Sequence, residues 1–198
     1  MKNLALQESE PRLVAEIHAE RTLLRQQRIV VLADFIDSAT AQTTIEDIHL
    51  MIAQNQAPIK ITLSSNGGAA EAGLAIIDAI RYAQSKGVFV VGVVLGHAMS
   101  MAFLILQACD KRDMYKGGWL MAHGLTSIAW GDIKDTEAEL VLLHGLRDQF
   151  ARLIAERNTS ENPIFKSSEH WVEILERKTP KFLSAKEALE IGVVDEVL

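Results

Sequence analysis

Apolar residues in this chain fall into short β-branched runs separated by stretches of helical spacing, and that alternation predicts an α/β domain. Arg28-Ile29-Val30-Val31-Leu32 reads as a strand closed by Ala33-Asp34. Ile45, Ile48, Met51 and Ile52 recur at helical spacing within a helix over 38–55. After the break at Pro58, Ile59-Lys60-Ile61-Thr62-Leu63 forms a second strand, Ser64-Ser65-Asn66-Gly67-Gly68 a turn, and residues 69–85 a second helix. The run from Val88 to Leu95 lies between Gly87 and Gly96 and reads as a buried strand; Phe103-Leu104-Ile105-Leu106 opens a buried helix. A further strand is expected over about 113–121, ending at His123. Strands alternating with helices of this length make crossover units and a parallel sheet.

The two ends of the chain differ in character. Residues 12–28, with Leu13, Ile17 and Leu24 among charges, predict a helical N-terminal segment, so residues 1–27 are set apart from a domain over 28–198. Ile133, Leu140, Leu143, Phe150, Leu153 and Ile154 mark one long helix within about 130–160, longer than the globular norm. Such a helix projects from the core, and Ile133, Leu140, Leu143 and Phe150 read as a face for another subunit. Ser184 with Glu187 forms a capping-box signature, Gly192 ends the short helix, and residues 193–197 close the fold.

Composition narrows the function. The 198 residues are 48% hydrophobic and 23% charged, ordinary for a soluble domain with a sizeable core. A formal charge of −6 argues against nucleic acid or an anionic membrane as partner. The one cysteine, Cys109, excludes an intrachain disulfide and reads as a buried structural thiol in a reducing compartment. No stretch approaches the roughly 18 apolar residues of a membrane span, and residues 1–12 lack the apolar core of a secretory signal, so a cytoplasmic location is expected. The six histidines form no HExxH or Cys/His cluster, so no metal and no cofactor is expected.

The candidate chemistry lies where strands end. Ser100, in Gly96-His97-Ala98-Met99-Ser100-Met101, stands at a strand-to-helix junction. There a serine either caps the helix or acts as a nucleophile beside an N–H that stabilises an oxyanion. Gly67-Gly68 ends one strand and His123 another, so the three can converge beyond the carboxyl ends of a parallel sheet. Acyl transfer by serine needs such a set: a hydroxyl, an imidazole and paired N–H donors.

Four motifs, taken together, resemble the proteolytic subunit of the Clp protease, a self-compartmentalising serine peptidase of the crotonase-like superfamily. They are Ser65-Asn66-Gly67-Gly68, Gly96-His97-Ala98-Met99-Ser100-Met101, Met121-Ala122-His123-Gly124 and the C-terminal Phe182-Leu183-Ser184-Ala185, Glu187-Ala188 and Gly192-Val193-Val194-Asp195. The likeness runs in order over roughly residues 23–198. It implies a ClpP-like α/β fold, a ββα superhelix with a parallel core and a protruding handle helix. It further implies Ser100 as nucleophile, His123 as general base, and the N–H groups of Gly68 and Met101 as oxyanion hole. Extended peptide would pair with the strand edge near Gly68. The subunits would form a homo-oligomeric seven-membered ring, stacked in pairs through the handle, that cleaves protein or peptide and partners a ring ATPase.

The chain departs from the family pattern in several places. The family's triad aspartate falls on Pro180, which can neither accept a proton nor orient an imidazole. Glu176 or Thr179 reaching the histidine, a Ser100–His123 dyad working alone, or a degenerate site all remain open. Asn66 replaces the family's proline, Gly124 its glutamine, and residues 1–22 hold no counterpart of the axial loop that docks the ATPase. These departures fit an outlying branch such as the Clp-like head-maturation proteases of tailed phages. Two alternatives stand beside the peptidase: a catalytically inert ring subunit, and a crotonase-like enzyme acting on an acyl-CoA.

Overall fold

The computed structural model describes residues 21–125 and 132–198. Residues 21–26 are helical, and the remainder of the expected N-terminal helical segment lies outside the described residues. Strand β1 (Ile29–Ile36) leads to helix α1 (Ser38–Gln54), β2 (Ile59–Gly68), α2 (Ala70–Ser85), β3 (Val90–Met99) and α3 (Met101–Ala108). Then come β4 (Lys111–Met114), β5 (Trp119–Ala122), the long α4 (Ile133–Arg157), a 3-10 turn at Pro163–Lys166, α5 (Ser168–Leu175), β6 (Lys181–Ser184), α6 (Ala185–Glu190) and β7 (Glu196–Val197).

The seven described strands make one mostly parallel sheet, as the alternating pattern predicted, with β1-β2-β3-β4-β7 in that order and parallel, and β5 and β6 off this path. The single strand expected over 113–121 is in fact two. Lys116-Gly117-Gly118 breaks the run, the Gly118 N–H closes a turn on the Tyr115 carbonyl at 2.8 Å, and the two halves take different partners. Strand β4 pairs with β3 at Val91–Val94 and with β7, whereas β5 pairs with the last residues of β3, from His97 to Met99, and antiparallel with β6.

A second correction concerns the glycines. Gly67-Gly68 is not a turn beyond the strand: β2 continues through it, paired with Phe35 and Ile36 of a longer β1. On its other side β2 loses β3 after the Ser65–Ala98 pair, with a register shift just before it. The edge left free near Gly68 is therefore the one facing the end of β3.

Helix α3 is buried along its whole length, packed on β2, β3, α2 and α4. It holds Ser100, at its N-terminus, rigidly against the sheet. Asp132 and Asp135 close a capping box at the start of α4, and the two halves of that helix have different roles. Phe150, Ala151, Leu153, Ile154 and Ala155 are buried, while Ile133, Val141 and Leu142 are 78%, 74% and 61% exposed. The expected assembly face is thereby corrected. Ile133 and Leu140 are exposed, but Phe150 belongs to the core and Leu143 is half-buried, because the helix docks on α3 and α5 from its midpoint on.

The C-terminus is tied in by charge. Arg112, 1% exposed, donates to both carboxylate oxygens of Asp195, at 3.0 and 2.6 Å, and to Gln107 Oε1 at 2.8 Å.

Candidate active site

Ser100 occupies the N-cap position of α3 but does not cap it with its side chain. Its backbone sits at φ 54° and ψ −121°, in the left-handed region that a side chain disfavours, so the chain turns sharply from β3 into α3. Three backbone bonds fix the turn: Ser100 N–H to the Met121 carbonyl at 2.8 Å, and the N–H groups of Phe103 and Leu104 back to the Ser100 carbonyl. The strained turn frees the hydroxyl for another partner. Ser100 Oγ lies 2.8 Å from His123 Nε2.

His123 comes to that position through β5. Pairing of His97, Ala98 and Met99 with Trp119, Leu120 and Met121 runs β5 beside the strand that ends in the serine, and His123 follows directly. With Nδ1 carrying its proton, His123 Nε2 accepts the serine hydroxyl, the arrangement a general base requires.

The glycine strand end lies against the serine. At Gly67, φ is +95°, and an added Cβ would come within 2.7 Å of Met99 O and Ser100 Cβ. Ser65, with no exposed surface, accepts the Gly67 N–H at 3.0 Å and donates its hydroxyl to the Asp34 carbonyl. Met101 is the first residue of α3, so its N–H has no carbonyl one turn earlier to bond. Gly68, Ser100, Met101 and His123 all line one cavity of about 390 Å³, whose far wall is apolar, with Leu142, Leu146 and Phe150 from α4.

A second cavity, of about 400 Å³, is lined by His123 but not by Ser100. The antiparallel pairing of Ala122 with Lys181 carries position 180 to this cavity, where Pro180 stands. Thr179 is exposed and lines neither cavity. Glu176 lines the second one, but its carboxylate is paired with Arg147 of α4. Among the described residues no carboxylate hydrogen-bonds His123, and its partner is Ser100.

A family model for Clp proteases matches residues 15–198 of the chain. The chain belongs to the Clp protease family. Membership supports a peptidase function, and the matched span takes in every residue of the cavity around Ser100. The α/β architecture with its largely parallel sheet agrees with it. No helix among the described residues is long and apolar enough to cross a membrane. Cys109 is fully buried, and burial pushes its thiol up to about 12, so it stays protonated and inert.

Sequence reasoning brought forward Ser100, His123, Gly68 and Met101, and all four share one cavity. It missed the hydroxyl of Ser65 as a clamp on the glycines, and the pairing of Arg147 with Glu176. Clamp and pair alike leave only a weak trace in sequence: a serine in a turn, and two opposite charges almost thirty positions apart.

Proposed function

We propose that the chain is a serine endopeptidase, with Ser100 as nucleophile and His123 as general base. The 2.8 Å contact between Ser100 Oγ and His123 Nε2, made in place of a helix cap, carries the reading. In the first step the Ser100 hydroxyl loses its proton to His123 Nε2 as Oγ attacks the scissile carbonyl. The carbonyl oxygen takes up negative charge, which the N–H groups of Gly68 and Met101 stabilise. The positive end of α3 beside Met101 adds to that field. His123 then returns the proton to the leaving amine, and water repeats the sequence on the acyl-enzyme.

An extended peptide entering the free edge of β2 near Gly68 would place its side chain against Leu142, Leu146 and Phe150, so a bulky apolar residue suits the position before the cut. The exposed apolar half of α4, with Ile133, Leu140, Val141 and Leu142, supports assembly of copies of this chain into a ring that encloses the sites. A cytoplasmic setting suits its inert single thiol.

One observation favours the inert ring subunit instead: His123 has no carboxylate partner among the described residues, and Pro180 stands where one is expected. The acyl-CoA reading finds no comparable support, since that chemistry has no use for a serine hydroxyl held on an imidazole. Incubation with a fluorophosphonate, followed by mass spectrometry, decides between peptidase and inert subunit. The peptidase reading expects a single adduct on Ser100 that is lost in His123→Ala. A folded, assembled protein without that adduct would leave the inert subunit.

A further inference from the structure

The residue after His123 is a glycine for a steric reason. A Cβ on Gly124 would lie 2.3 Å from the carbonyl oxygen of Leu175, so only glycine lets the end of α5 come this close to the histidine. The next residue past that contact is Glu176, the C-cap of α5. Glu176 is the one acidic residue lining the cavity that takes in His123 without Ser100. The other charged side chains of that lining are Arg147, from α4, and Arg177 and Lys178, which follow Glu176; His144 of α4 also faces it. Glu71 of α2 and Glu139 of α4 line the cavity that His123 shares with Ser100 instead.

This placement bears on the step in which His123 takes the serine proton. In the cavity that lacks Ser100 the imidazolium shares the lining with three cations, which oppose it, and one carboxylate, which favours it. That carboxylate is engaged by Arg147, yet its side chain is 54% exposed and sits on a helix end, so it can exchange one cationic partner for another. We propose that Glu176 is the positioning residue for His123, exchanging Arg147 for the His123 Nδ1–H during catalysis, with Gly124 providing the close approach. Glu176 accepts a hydrogen bond and stays ionised; the proton moves only between Ser100 Oγ and His123 Nε2. The missing aspartate at position 180 is thus replaced from a different element. The inference rests on the serine peptidase reading.

Arg147→Gln and Glu176→Gln break the same ion pair, so a merely structural clamp predicts the same effect from both. A positioning role predicts opposite effects. The test measures the rate of fluorophosphonate labelling at Ser100 across pH 5–9, with kcat and KM on a fluorogenic peptide, in the full-length assembled protein. Glu176→Gln is expected to slow labelling and lower kcat about 100-fold with KM unchanged. That is less than the roughly 10⁴-fold that loss of the orienting aspartate costs in serine proteases, because Arg147 competes for the Glu176 carboxylate. Glu176→Asp, which keeps the charge, restores part of the rate. Arg147→Gln, which releases the carboxylate, labels faster than the wild type. Equal slowing in Glu176→Gln and Arg147→Gln, or wild-type labelling in Glu176→Gln, overturns the proposal and leaves the peptidase reading standing. A wild-type protein that does not label at Ser100 at all overturns both.

Discussion

The Ser65 hydroxyl accepts the N–H of Gly67 at 3.0 Å and, with no exposed surface of its own, ties the glycine end of β2 to the Asp34 carbonyl of β1. That link holds one wall of the cavity opposite Ser100. Its value to the site is positional, because Gly67 sits at a positive φ and precedes Gly68, whose N–H is proposed for the oxyanion.

Ser65→Ala is therefore expected to lower kcat by about tenfold while leaving KM near its original value, since the oxyanion develops only in the transition state. The buried Gly67 N–H and Asp34 carbonyl lose their partner as well, at a cost of about 1–3 kcal/mol. Steady-state kinetics and thermal melting measure the two effects separately. A raised KM with unchanged kcat would show that the link serves substrate binding instead.

The two halves of α4 should respond oppositely to charge. Val141→Glu and Leu142→Glu alter residues that are 74% and 61% exposed, so each subunit should melt as before while the assembly sediments as smaller species. Phe150→Glu buries an unpaired carboxylate at a position only 2% exposed and should unfold the subunit, at about 4 kcal/mol or more. Analytical ultracentrifugation with circular dichroism separates dissociation from unfolding. An unchanged sedimentation coefficient in the Val141 and Leu142 variants would remove this half of α4 from the interface.

The Arg112–Asp195 pair should make stability fall in acid. Burial alone would raise the Asp195 carboxyl, but hydrogen bonds and charge from Arg112, with a smaller contribution from Arg157, outweigh it and hold the group below its ordinary value. A carboxyl depressed in the native state contributes stability above its unfolded pKa. That contribution is lost as pH falls through the native value. Asp195→Asn should flatten this part of the acid profile and cost about 3 kcal/mol near neutrality, because it strands the buried guanidinium. Chemical denaturation at several pH values tests it; parallel profiles for wild type and variant would exclude the linkage.

What could be read from the sequence depended on how far apart the interacting residues lie. The alternation of strands and helices, the strand-to-helix junction at Ser100 and the capping box of Ser184 with Glu187 are interactions over a few residues, and spacing alone determined them. Where a break was a single turn, as at Gly117-Gly118, the pattern merged two strands into one, since each half is only four residues long and what separates them is their partners. Tertiary structure alone decided the rest. Ser100 meets His123 because β5 follows the end of β3, α4 changes from exposed to buried where α3 and α5 reach it, and Glu176 comes to line one cavity with His123 because Leu175 packs on a glycine. Each is a contact between segments distant in the chain, chosen by how sheet and helices pack, and packing leaves no periodic signal in the residues it brings together.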